Sequence, residues 1–128
     1  MKPVFQTKFG VPEGNCFAAC LASVFEIELD EVPDFGIADD WYIKFSDWMK
    51  VRFDIRPLEL HIPAMSRQNW KPNGYHLISG VGSRGIYHSV VGLDGVAVHD
   101  PFPGGIDLRT METYTIFIAS IRYGSPQR

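Results

Sequence analysis

The chain has 128 residues, of which 45% are hydrophobic and 13% aromatic, enough to bury the core of one domain without disulfide or metal staples. Its net charge of −3 leaves no basic surface to hold a phosphate backbone, so nucleic acid is not an expected partner. The opening Met1-Lys2-Pro3-Val4-Phe5-Gln6 lacks the apolar run of a secretory signal, and no stretch approaches the roughly 20 apolar residues of a membrane helix; no membrane association and a cytoplasmic location are the expectations.

Residues 10–15 (Gly-Val-Pro-Glu-Gly-Asn) read as a loop. In the Cys16-Phe17-Ala18-Ala19-Cys20-Leu21-Ala22-Ser23-Val24-Phe25 run that follows, Phe17, Cys20, Leu21 and Val24 share one helical stripe. Asn15 suits the N-cap of that helix. Residues 29–32 suggest a short helical turn stopped by Pro33. Residues 39–51 repeat Trp41, Phe45, Trp48 and Met49 at helical spacing, as a core-facing helix would. The period then changes to that of strands at 55–61, 75–79, 86–93, 96–100 and 114–123, punctuated by Gly, Pro, Asn and Asp. Helices first and a mainly antiparallel sheet of about five strands afterwards define an α+β fold. Without an internal repeat or a linker-like tract, residues 1–128 are expected to form a single domain.

Cys16 follows directly on the N-cap, where unpaired backbone N–H groups and the helix dipole favour an anion. Gly14 removes side-chain bulk beside it. Cys20, one turn further on the apolar stripe, belongs to the core. Both thiols are expected to be free, because their spacing on one helix suits a disulfide poorly.

The Tyr87-His88-Ser89-Val90-Val91-Gly92-Leu93-Asp94-Gly95-Val96-Ala97-Val98-His99-Asp100-Pro101 run reads as a hairpin. A two-residue Asp94-Gly95 turn would put His88 and Asp100 on opposite faces, because side chains alternate along a strand. A three-residue Leu93-Asp94-Gly95 loop pairs Gly92 with Val96 and sets His88 across from Asp100. The three-residue loop is the expectation, since it lets a carboxylate orient an imidazole. Among the other histidines, His99 should point away from His88, His61 lies where a strand ends, and His76 is the rival base. A side-chain amide ahead of the nucleophile would complete an oxyanion site, with Gln6 the first choice and Asn15 the second. Tyr42, Trp70, Tyr75 and Phe102 are aromatic candidates for a groove.

In these features the chain resembles papain-like cysteine peptidases, particularly the small branch that removes double-glycine leaders from bacteriocin precursors. Gly14-Asn15-Cys16-Phe17-Ala18-Ala19 opening a helix, His88-Ser89-Val90-Val91-Gly92 in a strand and Asp100-Pro101 closing the next carry the resemblance, from Gln6 to about Gly104. It implies a papain-like fold, Cys16 as nucleophile, His88 as general base and then acid, Asp100 as orienting residue, Gln6 as oxyanion donor, and no cofactor. Two positions depart from that branch: Phe17 stands where it commonly has glycine, and Gln6 lies further ahead of the cysteine than its glutamine does.

The expected activity is thiol-dependent hydrolysis of a peptide or other amide bond through a thioester. Acyl transfer on the same residues and a catalytically silent module binding a peptide or host protein near Trp70 and Phe102 are the alternatives. A metal site built on Cys16, Cys20 and histidines is disfavoured by the spacing of the cysteines, and no metal is expected.

Overall fold

A computed structural model describes residues 1–119. Helix α1 (Cys16–Phe25) is followed by a 3-10 turn at Leu29–Glu31 and by helix α2 (Trp41–Phe53); then come strand β1 (Ile55–His61), the short helix α3 (Ile62–Arg67), and strands β2 (Tyr75–Val81), β3 (Tyr87–Leu93), β4 (Val96–His99) and β5 (Thr113–Ala119). The five strands make one antiparallel sheet in the order β1-β5-β2-β3-β4. The α+β architecture expected from the change of period is therefore present, with Cys16 at the head of the first helix. Residues 120–123 of the last expected strand lie outside the described residues.

The strands were legible as short runs containing β-branched and aromatic residues, bounded by Gly, Pro, Asn and Asp. Central strands β2 and β3 bury both faces: Leu77, Ile78, Val90 and Val91 are all 0% exposed, each contributing roughly 1.5–3 kcal/mol relative to exposure. Leu77 and Val91 pack with Cys20, Leu21, Phe45 and Met49 beneath α1 and α2. Ile78 and Val90 pack with Ile62 and Tyr114 on the α3 side. Helix α3 was not anticipated. Its Pro63 sits in the first turn, where the missing N–H costs nothing, so a proline that could only be read as strand punctuation begins a helix.

The hairpin departs from expectation. Leu93 pairs with Val96 and Gly92 with Ala97, so the turn is the two-residue Asp94-Gly95 with φ of 53° and 86°; the three-residue loop is not formed. Positive φ at both central residues is the turn whose twist matches the flanking strands, and Asp-Gly is well suited to it. The next pair, Val91 with His99, skips Val98. That bulge inserts one residue into β4 and reverses the alternation beyond it. Carried one residue further, the register sets Asp100 beside Val90, diagonally placed from His88 and on its face.

The chain after β4 returns alongside β2, where β5 begins. Arg109 and Thr110 donate their N–H groups to Val81 O at 2.7 and 3.2 Å, and Glu112 donates to Ser79 O at 2.9 Å. Gly80, the residue paired with His88, lets this segment approach, because a Cβ there would collide with the Thr110 carbonyl oxygen. No helix among the described residues is long and apolar enough to cross a membrane. Gly80→Ala should cost about 1–3 kcal/mol of stability, since backbone must move to admit the methyl group; urea unfolding of the two proteins measures it.

Candidate active site

Cys16 opens α1 and lines a cavity of about 970 Å³ between the start of that helix, the 29–41 segment and the sheet. Asn15 precedes it but its side chain does not cap the helix. Instead Asn15 Oδ1 accepts the N–H groups of Thr7 and Lys8 at 3.0 and 2.9 Å, and Nδ2 donates to Thr7 Oγ1 at 3.0 Å. The amide thus clamps the 7–8 segment against the helix start. The expected capping role is overturned because both acceptor positions of Oδ1 are taken by the Thr7 and Lys8 N–H groups, leaving none for the helix. The backbone N–H groups of Cys16, Phe17 and Ala18, which helix geometry leaves without internal acceptors, belong to residues that line the cavity. Gly14 serves the loop: its N–H donates to Gly10 O at 2.9 Å, and a side chain there would strike that carbonyl oxygen.

His88 on β3 and Asp100, the residue after β4, are 2% and 4% exposed. His88 Nε2 donates to Asp100 Oδ1 at 2.6 Å. The carboxylate is itself held by backbone: Phe102 N–H donates to Oδ1 at 2.8 Å and Asp107 N–H to Oδ2 at 2.9 Å. The Cys16 side chain also favours the protonated form of this imidazole. Burial opposes the charged ring, but the Asp100 hydrogen bond and then the contributions of Cys16 outweigh it and push His88 up to about 9. With Nε2 committed to Asp100, Nδ1 is the nitrogen left for the sulfur.

Gln6 is 6% exposed and lines the cavity with Cys16. Its N–H donates to Pro101 O at 2.9 Å, tying it to the segment that carries Asp100. Gln6 Nε2 donates to Lys8 O at 3.0 Å, which uses one of its two hydrogens. Oε1 is buried without a partner.

Cys20 is fully buried and donates its S–H to Ser89 O at 3.3 Å. Burial, then the nearby charges of Cys16 and Asp100, hold its thiol well above the ordinary range, so it stays protonated and inert at neutral pH. Both cysteines are free. The rival bases fall elsewhere. His99 Nε2 donates to Val4 O at 2.8 Å and His61 is exposed at the end of β1. His76 is buried against Tyr114 with Nδ1 bonded to Gly74 O at 3.0 Å. It lies four residues along β2 from the partner of His88, roughly 13 Å away at the rise of a strand. Among the described residues no cluster of three or more His, Cys, Asp or Glu is placed to hold a metal ion.

None of the four aromatic candidates lines this cavity. Phe17, Phe35, Trp41 and Tyr87 line it. Tyr42 donates its hydroxyl to Pro57 O at 2.6 Å, Trp70 and Tyr75 border a separate shallow depression, and Phe102 lies under Arg84, whose guanidinium carbon is 3.9 Å from the ring centroid. Also missed was the polar floor: Ser79, Ser89, Thr113 and Glu59. For Glu59 a signal existed, since strand alternation puts it on the same face as the apolar Ile55 and Pro57. The hydroxyls carried none, because Ser and Thr are ordinary strand residues.

The chain matches no protein-family model, no curated protein and no solved structure.

A folded-state value above the ordinary 6.5 of histidine means the His88–Asp100 pair stabilises the fold fully below about pH 6.5 and loses that contribution as pH rises through about 9. Asp100→Asn should move the His88 midpoint down toward 6.5 in an NMR titration of the ring and flatten the fall of Tm across this window.

Proposed function

We propose that this chain is a papain-like thiol hydrolase that cleaves a peptide or other amide bond. The observation that carries the reading is one buried imidazole bonded to Asp100 at 2.6 Å, whose protonated form is also favoured by Cys16, a residue of the cavity wall. A protonated His88 supplies the counter-ion that a Cys16 thiolate needs, and Asp100, oriented by two backbone donors, keeps the ring's tautomer and direction.

In the proposed reaction the Cys16 sulfur attacks the amide carbonyl, and the electron pair of the C=O bond moves to oxygen. The oxyanion would be met by the Cys16 backbone N–H and by the uncommitted hydrogen of Gln6 Nε2. His88 gives its proton to the leaving nitrogen as the C–N bond breaks, leaving a thioester on Cys16. Neutral His88 then takes a proton from water as the water attacks the thioester and keeps it as the C–S bond breaks, so that the acid departs and the thiolate–imidazolium pair is restored. Only Cys16 of the three lines the cavity, so substrate would meet the nucleophile first while the ion pair stays shielded from water. Two free thiols also suit a reducing compartment, and the cytoplasm is the proposed location.

Cys16→Ala should abolish cleavage of a library of internally quenched peptides while changing unfolding stability by less than about 1 kcal/mol. Turnover that survives this substitution, or no cleavage of any library member, would refute the reading. Iodoacetamide should modify Cys16 and spare Cys20, and at about pH 6 the rate should fall at least roughly tenfold in His88→Ala. Modification of Cys20 alone would be equally damaging.

A further inference from the structure

The cavity beside Cys16 has two unlike walls. One is apolar: Phe17 and Trp41 meet edge to face at 5.9 Å between ring centroids, with Phe35, Leu29, Val32 and Ile37 beside them. The other is the helix-facing side of the sheet, where a core-facing surface would ordinarily be aliphatic. Here it carries a row of hydroxyls. Thr113, Ser79 and Ser89 are consecutive cross-strand partners on β5, β2 and β3. Ser79 and Ser89 share a hydrogen bond of 2.7 Å, and Tyr87 OH reaches Thr113 Oγ1 at 3.2 Å.

Glu59 stands at the far side of this floor. It pairs with Thr115 on β5 and is hydrogen-bonded by the Thr115 hydroxyl. Among the described residues it forms no ion pair: the pairs found are Met1–Glu26, Lys44–Asp40, Arg52–Glu31 and His88–Asp100. A largely desolvated carboxylate with one hydroxyl donor and no cation is under-compensated; accordingly, burial raises its carboxyl above the ordinary range against the opposing Thr115 bond. The remaining charges around the cavity lean the same way, with Glu13, Asp30 and Asp34 joining Glu59 against Lys8 and Arg84.

We propose that Glu59 and the apolar wall of Phe17, Trp41 and Phe35 form a specificity subsite for a lysine-like side chain of the substrate, its aliphatic stem along the aromatics and its ammonium on the carboxylate. The proposal rests on the amide-cleaving reading for the identity of the substrate. The chemistry fits both halves of such a side chain: methylenes gain from burial against aromatic rings, and the cation gains from ring faces and from a partly desolvated partner. Through Thr115, Leu77 and Val91, Glu59 lies three strands from β3, about 14 Å at the spacing of a sheet, so an extended peptide would present this side chain roughly two to four residues from the bond at Cys16.

The test separates recognition from chemistry by using Cys16→Ala. Acetylated octapeptide amides of glycine and alanine, carrying one lysine or one norleucine at each position in turn, are titrated onto this variant by fluorescence anisotropy. At one position the lysine peptide should bind at least about tenfold tighter than the norleucine peptide. Adding Glu59→Gln, which preserves the shape of the side chain, should bring the lysine peptide down to the norleucine level. Equal affinity at every position, or a lysine preference that survives Glu59→Gln, would overturn the subsite. A Glu59-dependent preference found together with an absence of Cys16-dependent cleavage would uphold the subsite and remove the hydrolase reading.

Discussion

The hydrogen bond between His88 and Asp100 organises this molecule, because two buried side chains that attract each other as ions must each be held by something else. Asp100 is held by the N–H groups of Phe102 and Asp107, so the chain after β4 must curl around the carboxylate before it returns to the sheet. His88 is held by its strand, and that strand is held by full burial of Val90 and Val91. The return segment crosses at Gly80, the residue opposite His88. Strand β2, return loop and ion pair are thus one unit, and weakening any of them exposes a charge that the interior cannot solvate.

Around that unit the remaining parts act as positioning devices. Asn15 ties residues 7 and 8 to the start of α1, and Gln6 N–H ties the same strap to Pro101. Cys16 and the carboxylate that steadies its partner imidazole are therefore connected through a path of only a few residues, although 84 positions separate Cys16 from Asp100 in sequence. The two cysteines show how strongly position decides chemistry. One turn of helix moves a thiol from the cavity wall to a fully buried site where its ionised form is penalised.

Much of the architecture was legible in the sequence because it rests on local periodicity. Helix α1 and strand β1 begin and end where the apolar spacing puts them, Cys16 stands at the expected first position of α1, and the meeting of His88 with Asp100 was expected of the hairpin. The hairpin's register was not. Turn chemistry at Asp94-Gly95 favoured two residues, the orientation of Asp100 favoured three, and the fold satisfies both with a bulge at Val98, a tertiary solution with no local signature. The role of Asn15 was hidden for a similar reason, since a capping amide and a clamping amide have the same sequence context. Helix α3 went unread because one proline can end a strand and begin a helix within the same step.

The bulge gives the hairpin a spare residue. Val98 is left out of the pairing, so a chain lacking it would still pair Val91 with His99 and bring Asp100 beside Val90, on the face of His88. An extra residue taken up in the Asp94-Gly95 turn would likewise leave the pairing of Leu93 with Val96 untouched. Heritable length changes absorbed at the turn or at the bulge would be silent for the ion pair, whereas one that slid β4 a single residue along β3 would turn imidazole and carboxylate to opposite faces.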